Sequence, residues 1–485
     1  MSGAQDHNVV GMRGRSFFVN VGSLVGARGI LVLSQILILP ILARLLTVDD
    51  FALMAMAMSI VVFCSVLSDA GLGRSLIRSK TLDEDEWSSV FWLLIGVGIA
   101  LGLVILAISP MWAYFFERQE LAPMLAALAF VPFMQSAAAV PNAEIERREG
   151  HQALAFVQVV STLVSVTVAL GLAFAGAGVW ALIGQQLALI GARWLGILWF
   201  SRFWPRLTFS RHLLTKHVGF AFDAILVAVV SAVRTQATVI AVGKVLGETA
   251  LGLFSMSQRF TRLPQFGLAG PMSTVVYVRM AQVQDEPERL IAVYLAALRL
   301  LSVILFPALL LVAVAGESIF TILLSERWSA VAPIFALSIA GLTLEGASNV
   351  MLACLFRAAG RTDLNVRLTL ESAAIQIVFV AIAVFISLEA VAVALSLWGC
   401  SVVPRGWVLA KRIVPLAIAD CVWAVLPPIF VGLLFVALHV IVVQLLELSM
   451  LAELVAAILG CVVAIGVSVG ITKAKFVGAL RLFRE

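Results

Sequence analysis

Charge is what this chain has least of. Only 13% of its 485 residues are Asp, Glu, Lys or Arg, against about 25% in an ordinary soluble domain. With 62% hydrophobic residues and a mean hydropathy of +1.07, it cannot solvate itself as a globule. Cysteine is scarce too. Cys64, Cys354, Cys400, Cys421 and Cys461 sit in or beside apolar runs, with no CxxC or Cys/His spacing. That excludes a disulfide framework and a metal site. No nucleophile–base constellation, phosphate loop or metal-ligand spacing occurs, so the residues suggest neither an enzyme nor a cofactor site. Long polar insertions are missing as well, which leaves little external surface for chemistry.

What is present is a succession of apolar runs, each about 20 residues long, the length that spans a bilayer core. They recur about fourteen times, without the ten-residue alternation of a membrane β-barrel. The expectation is an all-α polytopic membrane protein with helices near 17–42, 49–72, 88–113, 121–143, 153–175, 178–200, 217–243, 249–276, 291–315, 328–356, 366–387, 389–410, 416–438 and 450–472. The N-terminus is polar to about Arg15 and lacks a small-residue cleavage site, so it does not read as a cleaved signal peptide.

The chain also says nearly the same thing twice. Arg44–Ala57 echoes Lys244–Ser257 at a spacing of 200, with Leu46 on Leu246, Leu53 on Leu253 and Met56 on Met256. A second echo runs at 210: Ala122-Pro123 on Ala332-Pro333, then Arg147 and Gly150 on Arg357 and Gly360. Two echoes in the same order imply duplication, and duplicated lobes around a central site are how many transporters are built. The expected organisation is two pseudo-symmetric six-helix lobes, 1–200 and 217–411. A cytoplasmic amphipathic linker, 201–216, joins them, and 412–485 adds two helices and a basic tail. In the linker, arginines interleave with Phe203, Trp204 and Phe209, which suits a segment in the headgroup layer.

Positive charge sets the expected topology. With the N-terminus inside, 23 Lys and Arg fall in inside loops, and only Arg44, Arg118, Lys244 and Arg327 fall outside. Both termini are then cytoplasmic and the helix number is even. The pI near 9.1 follows from this bias and calls for no nucleic acid.

Six arginines fall inside the expected helices. Arg193 and Arg299 lie near cytoplasmic ends, where the side chain can snorkel to water. Arg28, Arg234, Arg259 and Arg262 fall nearer the middle, where an arginine costs at least about 2.5–3.5 kcal/mol. Each should face a wet cavity or a partner. In the eighth helix Ser255, Gln258, Arg259, Arg262 and Phe266 project on one stripe. In the seventh, Asp223, Ser231, Arg234 and Thr238 share a face within about 80°. In the first, Arg28 and Gln35 are seven apart and share a side. Three polar stripes argue for one enclosed positive cavity, suited to an anionic substrate such as a phosphate group. The structural alternative is that Arg234 pairs with Asp223 or Glu345.

The acidic residues within helices read as Asp69, Asp223, Glu345 and Glu371. A buried carboxylate can carry a proton, and Glu345, the deepest, is the first candidate for ion coupling. Asp223 and Asp69 follow, though capping or interfacial pairing competes for both. Pro264 and Pro271 interrupt the eighth helix, and Pro132 and Pro141 the fourth. Asp49-Asp50 suits a cap with Thr47, and Asp83–Glu86 suits the positive end of the third helix.

Several stretches carry a family resemblance. These are Leu42–Phe51, Ser68–Gly73, Gly178–Gln186, Trp204–Arg211, Ala250–Ser257 and Asp285–Arg289. In that order, they resemble the polysaccharide transporter branch of the multidrug/oligosaccharidyl-lipid/polysaccharide exporter superfamily, close to Wzx-type flippases of the colanic-acid kind. The resemblance weakens after about residue 410. It departs from the family at Leu253, where a tyrosine is usual, and at Tyr277-Val278, where Phe-Pro is common. It implies a MATE/MOP-like fold with a cavity lined by the first, second, seventh and eighth helices. It implies a bacterial inner-membrane flippase for undecaprenyl-pyrophosphate-linked oligosaccharide repeat units, serving exopolysaccharide, lipopolysaccharide or capsule synthesis. Arg28, Arg234, Arg259 and Arg262, with Gln35 and Gln258, would hold the pyrophosphate or acidic sugars. Membrane lipids and the polysaccharide polymerase and export machinery would be its partners. The rival readings are a drug exporter of the related branch, whose cavity walls would be acidic and aromatic, and a membrane polymerase of the same pathway.

Overall fold

The computed structural model describes residue 34, residues 37–69, residue 76 and residues 84–472; at 69, 211–224 and 264–266 the description is of the backbone. Most of the expected first helix, with Arg28 and Gln35, and the basic tail from Lys473 to Arg484 lie outside the described residues.

Among the described residues every regular element is helical. In chain order they are α1 (37–45), α2 (Val48–Asp69), α3 (Glu84–Phe116), α4 (Leu121–Leu128), α5 (Phe130–Arg147), α6 (His151–Phe174), α7 (Trp180–Phe200), α8 (Arg211–Val245) and α9 (Glu248–Pro264). After a π turn at Gln265–Ala269 come α10 (Gly270–Gln282), α11 (Pro287–Val314), α12 (Gly316–Leu323), α13 (Val331–Ala358), α14 (Thr362–Ala383), α15 (Leu388–Ala410), α16 (Ile418–Leu446) and α17 (Met450–Ile471).

Among the described residues twelve spans are long and apolar enough to cross a membrane; this is a multi-pass membrane protein. Two expected spans are not among the twelve. The first lies mostly outside the described residues. The eighth is divided into α9, the π turn and α10. Its prolines remove ladder bonds, and the wide turn between them absorbs the misfit. In the fourth helix the break falls at Ala129, between α4 and α5, whereas Pro141 stays inside α5 without interrupting it.

The duplication is visible in the backbone. Leu46 N–H donates to Leu42 (2.8 Å) and Leu246 N–H to Val242 (2.9 Å), and the next helices start 200 residues apart, at Val48 and Glu248. The caps differ. In the first copy the Thr47 amide donates to Asp50 Oδ2 (2.8 Å) and the Asp50 amide to Thr47 Oγ1 (3.2 Å), so side chains satisfy the orphan donors. The second copy turns on Gly247 at φ +85, a region open to glycine. The other echo starts in register, at Leu121 and Val331, and ends one residue out. The left-handed residue closing the helix is Glu149 in the first copy and Gly360 in the second, a spacing of 211 rather than 210. Arg147 and Arg357 nonetheless do the same job, each over an aromatic ring: Trp87 at 5.7 Å and Tyr277 at 5.3 Å.

The chain forms two compact units, Met1–Leu46 with Met56–Ala232, and Thr47–Ala55 with Val233–Glu485. In unit 1, residues 201–210 form no helix, and helix α8 already begins at Arg211. Their polar backbone atoms are taken up by the start of α3. Arg206 N–H donates to Ser88 Oγ (3.0 Å), Ser210 N–H to Ser89 Oγ (2.9 Å), and Trp92 Nε1 to the Arg206 carbonyl (2.7 Å). Glu84 pairs with Arg206, and Asp85 accepts from Thr208, so the acidic run also holds this segment. Phe203 is drawn in beside Trp87 and Phe91, while Trp204 and Leu207 stay exposed.

In unit 2, α13 and α15 touch backbone to backbone. A Cβ on Gly341 would overlap the Ser396 carbonyl, and one on Gly399 would overlap the Gly341 carbonyl. Small residues permit this approach between membrane helices. Gly399→Ala is therefore expected to destabilise the purified protein by about 1–3 kcal/mol, seen as a lower thermal midpoint in detergent, while Ala substitution at the open position Gly466 should have little effect.

Candidate functional site

The hairpin of α8 and α9 sets the depth of the mid-helix arginines. Arg234 lies eleven residues before the end of α8 at Val245, and Arg259 eleven residues after the start of α9 at Glu248. At 1.5 Å per residue both stand about 16 Å from the hairpin turn, near the middle of a 30 Å hydrocarbon layer. Arg262 lies three residues further along α9, and Glu345, fourteen residues into α13, is at a similar depth.

Two of the three guanidiniums are supported by neutral groups. Arg234 stacks on the ring of Trp398, 4.5 Å from its centroid, and donates to Gln376 Oε1 (2.8 Å). Gln376 in turn donates to Thr238 Oγ1 (3.0 Å). Trp398 is pinned by its own Nε1 bond to the Ser372 carbonyl (3.0 Å). Arg259 lies 5.1 Å over the ring of Phe51, which sits edge-on to the fully buried Trp328 at 5.2 Å. Arg262 is exposed and has no hydrogen bond or ion pair among the described residues; it lies within electrostatic reach of Arg234 and Glu345. Beside it, Gln258 Nε2 is buried without a hydrogen-bond partner.

Magnitudes decide what this arrangement needs. A cation–π contact contributes about 0.5–2 kcal/mol, less than the roughly 2.5–3.5 kcal/mol that each mid-membrane arginine costs. For Arg234 the bond to Gln376, about 1.5–3 kcal/mol for a charged donor, closes that gap; Arg259 and Arg262, with no hydrogen bond among the described residues, leave a deficit that water or an anion must make up. A ligand with several anionic oxygens could bridge such guanidiniums, whose planar donors match phosphate.

Of the expected residues, unit 2 brings Arg234, Arg259, Arg262 and Glu345 into one electrostatic neighbourhood. Arg234 makes no ion pair with Glu345. The Asp223 and Asp69 side chains, like Arg28 and Gln35, lie outside what is described. Glu371 is a different kind of group. Arg405 grips it at 2.7 and 2.9 Å and Arg367 at 2.9 Å, so it ties α15 to α14. Two supporting residues escape sequence reasoning, Gln376 and Trp398. The one available signal was a lone glutamine in the apolar run of α14. Unit 1 has its own opening of about 670 Å³, lined by Arg148, Gln152, Trp199 and Arg202 among others; it lies at helix ends and contains none of the expected site residues.

A bundle of membrane-spanning helices with a broken helix beside intramembrane charge defines a transporter-type fold, and comparison with solved structures agrees. The structure of the lipid II flippase MurJ, in an inward closed conformation, superposes with a TM-score of 0.69 over 95% of this chain and 98% of that one, at 14% identity. Residues 41–333 match the family of polysaccharide biosynthesis proteins, and the chain belongs to that family. Among curated relatives it is 25% identical over 300 residues to the succinoglycan biosynthesis transport protein ExoT of Rhizobium meliloti (strain 1021), covering 61% of this chain and 60% of that protein. It is 24% identical over 304 residues to the lipopolysaccharide biosynthesis protein WzxC of Escherichia coli (strain K12), covering 61% of each. The chain thus spans about three fifths of the length of these relatives.

Gln376→Leu should remove the acceptor of the Arg234 guanidinium and the donor to Thr238 Oγ1 together, leaving Thr238 its bond to the Arg234 carbonyl (3.3 Å). The expected cost is about 1–3 kcal/mol, measured by thermal denaturation, and Thr238→Val on top of it should add little because the two share one network.

Proposed function

We propose that this protein moves a lipid-linked oligosaccharide across the bacterial inner membrane, with the undecaprenyl pyrophosphate held by the unit 2 arginines and the lipid tail left in the bilayer. One observation carries the reading. Arg234, Arg259 and Arg262 lie well inside adjoining helices, and among the described residues no carboxylate is paired to any of them. A pyrophosphate supplies the missing negative charge. The names of ExoT, a succinoglycan biosynthesis transport protein, and WzxC, a lipopolysaccharide biosynthesis protein, support a glycan-related cargo. A drug-exporter cavity for cations would want the opposite charge.

Transport then works by alternating access about this site. The π turn at Gln265–Ala269 directly follows the arginine stripe, and wide turns of this kind recur at functional sites. It is the point where the broken helix bends. Glu345, which feels both Arg234 and Arg262, is the residue in this site that exchanges the coupling ion. The excess of Lys and Arg in alternate loops supports an orientation with both termini in the cytoplasm.

Arg259→Ala combined with Arg262→Ala is expected to abolish head-group translocation in proteoliposomes, a loss of at least about 100-fold, with membrane insertion unchanged; wild-type translocation in that variant would remove the mechanism. For topology, single cysteines at Arg118 and Trp204 in a cysteine-free background should react with an impermeant maleimide from opposite sides of the membrane. Labelling of both from one side would overturn the orientation.

A further inference from the structure

The last two helices carry a buried ionisable pair that the arginine site does not use. His439 lies on α16, seven residues before its end at Leu446, about 10 Å inside the helix. Its side chain is 5% exposed, and Nε2 stands 3.7 Å from Oε1 of Glu453. Glu453 is in the first turn of α17. Its other carboxylate oxygen accepts a short hydrogen bond from Ser318 Oγ on α12. His439 Nε2 is buried with no hydrogen-bond partner.

This geometry is incomplete without a proton. A charged N–H···O bond closes to about 2.7–2.9 Å, so 3.7 Å is a gap. A buried ring nitrogen left unpaired costs about 1–3 kcal/mol. A proton arriving on Nε2 would meet the carboxylate oxygen that Ser318 leaves open. Intramembrane ionisable residues are costly and mark ion pathways, and histidine changes charge between about pH 5 and 8.

Among the described residues no other charge competes at this level. On α11, packed against both helices, no ionisable residue follows Arg299. Arg299 interacts with Asp420 and Cys421, and Cys421 is eighteen residues from His439, about 27 Å along α16. On α12 there is Glu317, which is exposed; Glu447 is exposed in the turn after α16; Cys461 is eight residues beyond Glu453 on α17. On α15, Glu389 is exposed and Arg405 is held by Glu371.

The pair is also connected to the arginine helix. Two residues after Ser318, the fully buried Phe320 packs edge-on against Phe260 of α9 at 5.0 Å and against Phe335 of α13 at 5.8 Å. Phe260 directly follows Arg259. Helix α12 therefore links Glu453, through Ser318, to the broken helix, through Phe320.

We propose that His439 and Glu453 form a proton-binding site near the α16–α17 turn, and that loading it draws these two side chains together, which alters the hold of Glu453 on Ser318 of α12 and so biases α9, whose Phe260 packs on α12. The consequence rests on the transport reading above; the existence of the site does not. The test has two arms on the full-length protein. In the first, the protein is labelled with ¹⁵N-histidine in nanodiscs, and the spectrum of His439→Gln identifies the His439 ring signals. These are expected to move across a pH series in wild type, and Glu453→Gln should change that response. In the second, proteoliposomes carry a fluorescent polyprenyl-pyrophosphate oligosaccharide under an imposed pH gradient. H439Q and E453Q should each lose about tenfold or more of the gradient-driven rate while exchange without a gradient stays within about twofold of wild type. A His439 ring that keeps one protonation state throughout, or variants that keep the full response to the gradient, would overturn the proposal. If wild type moves no lipid at all, the transport reading falls, and the ring titration alone decides the proton site.

Discussion

A guanidinium at the middle of a bilayer has no water to turn to, and much of unit 2 answers that constraint. Two of the three arginines are met by ring faces, and those rings must themselves be held. Trp398 is fixed by Ser372 and Phe51 by Trp328. The close approach of α13 and α15 serves the same end. Gly399 is next to Trp398, and Gly341 lies one turn before Glu345, so the contact of these glycines sets the platform under Arg234 and the carboxylate near it together. Supports of this kind are neutral. They steady the cations without cancelling them, which leaves positive charge for a ligand.

The duplicated halves keep a helix-start register while changing the chemistry of the turns. One copy caps its helix with Thr47 and Asp50, the other turns on a glycine at Gly247. One closes with a left-handed Glu149, the other with Gly360. Backbone hydrogen bonding is what both copies must preserve, because an unsatisfied amide costs more in lipid than in water. Side chains that provide it are interchangeable. The arginines that follow, Arg147 and Arg357, retain a shared role because each reaches an aromatic ring across its own helix end.

Ionisable groups in the spans fall into separate classes by their company. Glu371 is saturated by two arginines and acts as a tie. Glu345 is near cations but paired with none. His439 and Glu453 face each other in an otherwise apolar neighbourhood. Charge count alone does not separate these cases; the number and geometry of partners does.

Composition by itself determined that the chain is a membrane protein and that its spans are helical, because unpaired backbone in lipid leaves few other solutions. The repeat was legible too, as were Arg234, Arg259 and Arg262, since a charge in an apolar run stands out locally. The interruption of the eighth span was legible through Pro264 and Pro271. What the tertiary structure alone decided is which neutral groups hold those charges. Gln376 lies 142 residues from Arg234, and Glu453 lies 135 residues from Ser318. Hydropathy is a property of neighbours along the chain, whereas these contacts depend on how each helix is rotated and how deep its residues sit when the helices pack.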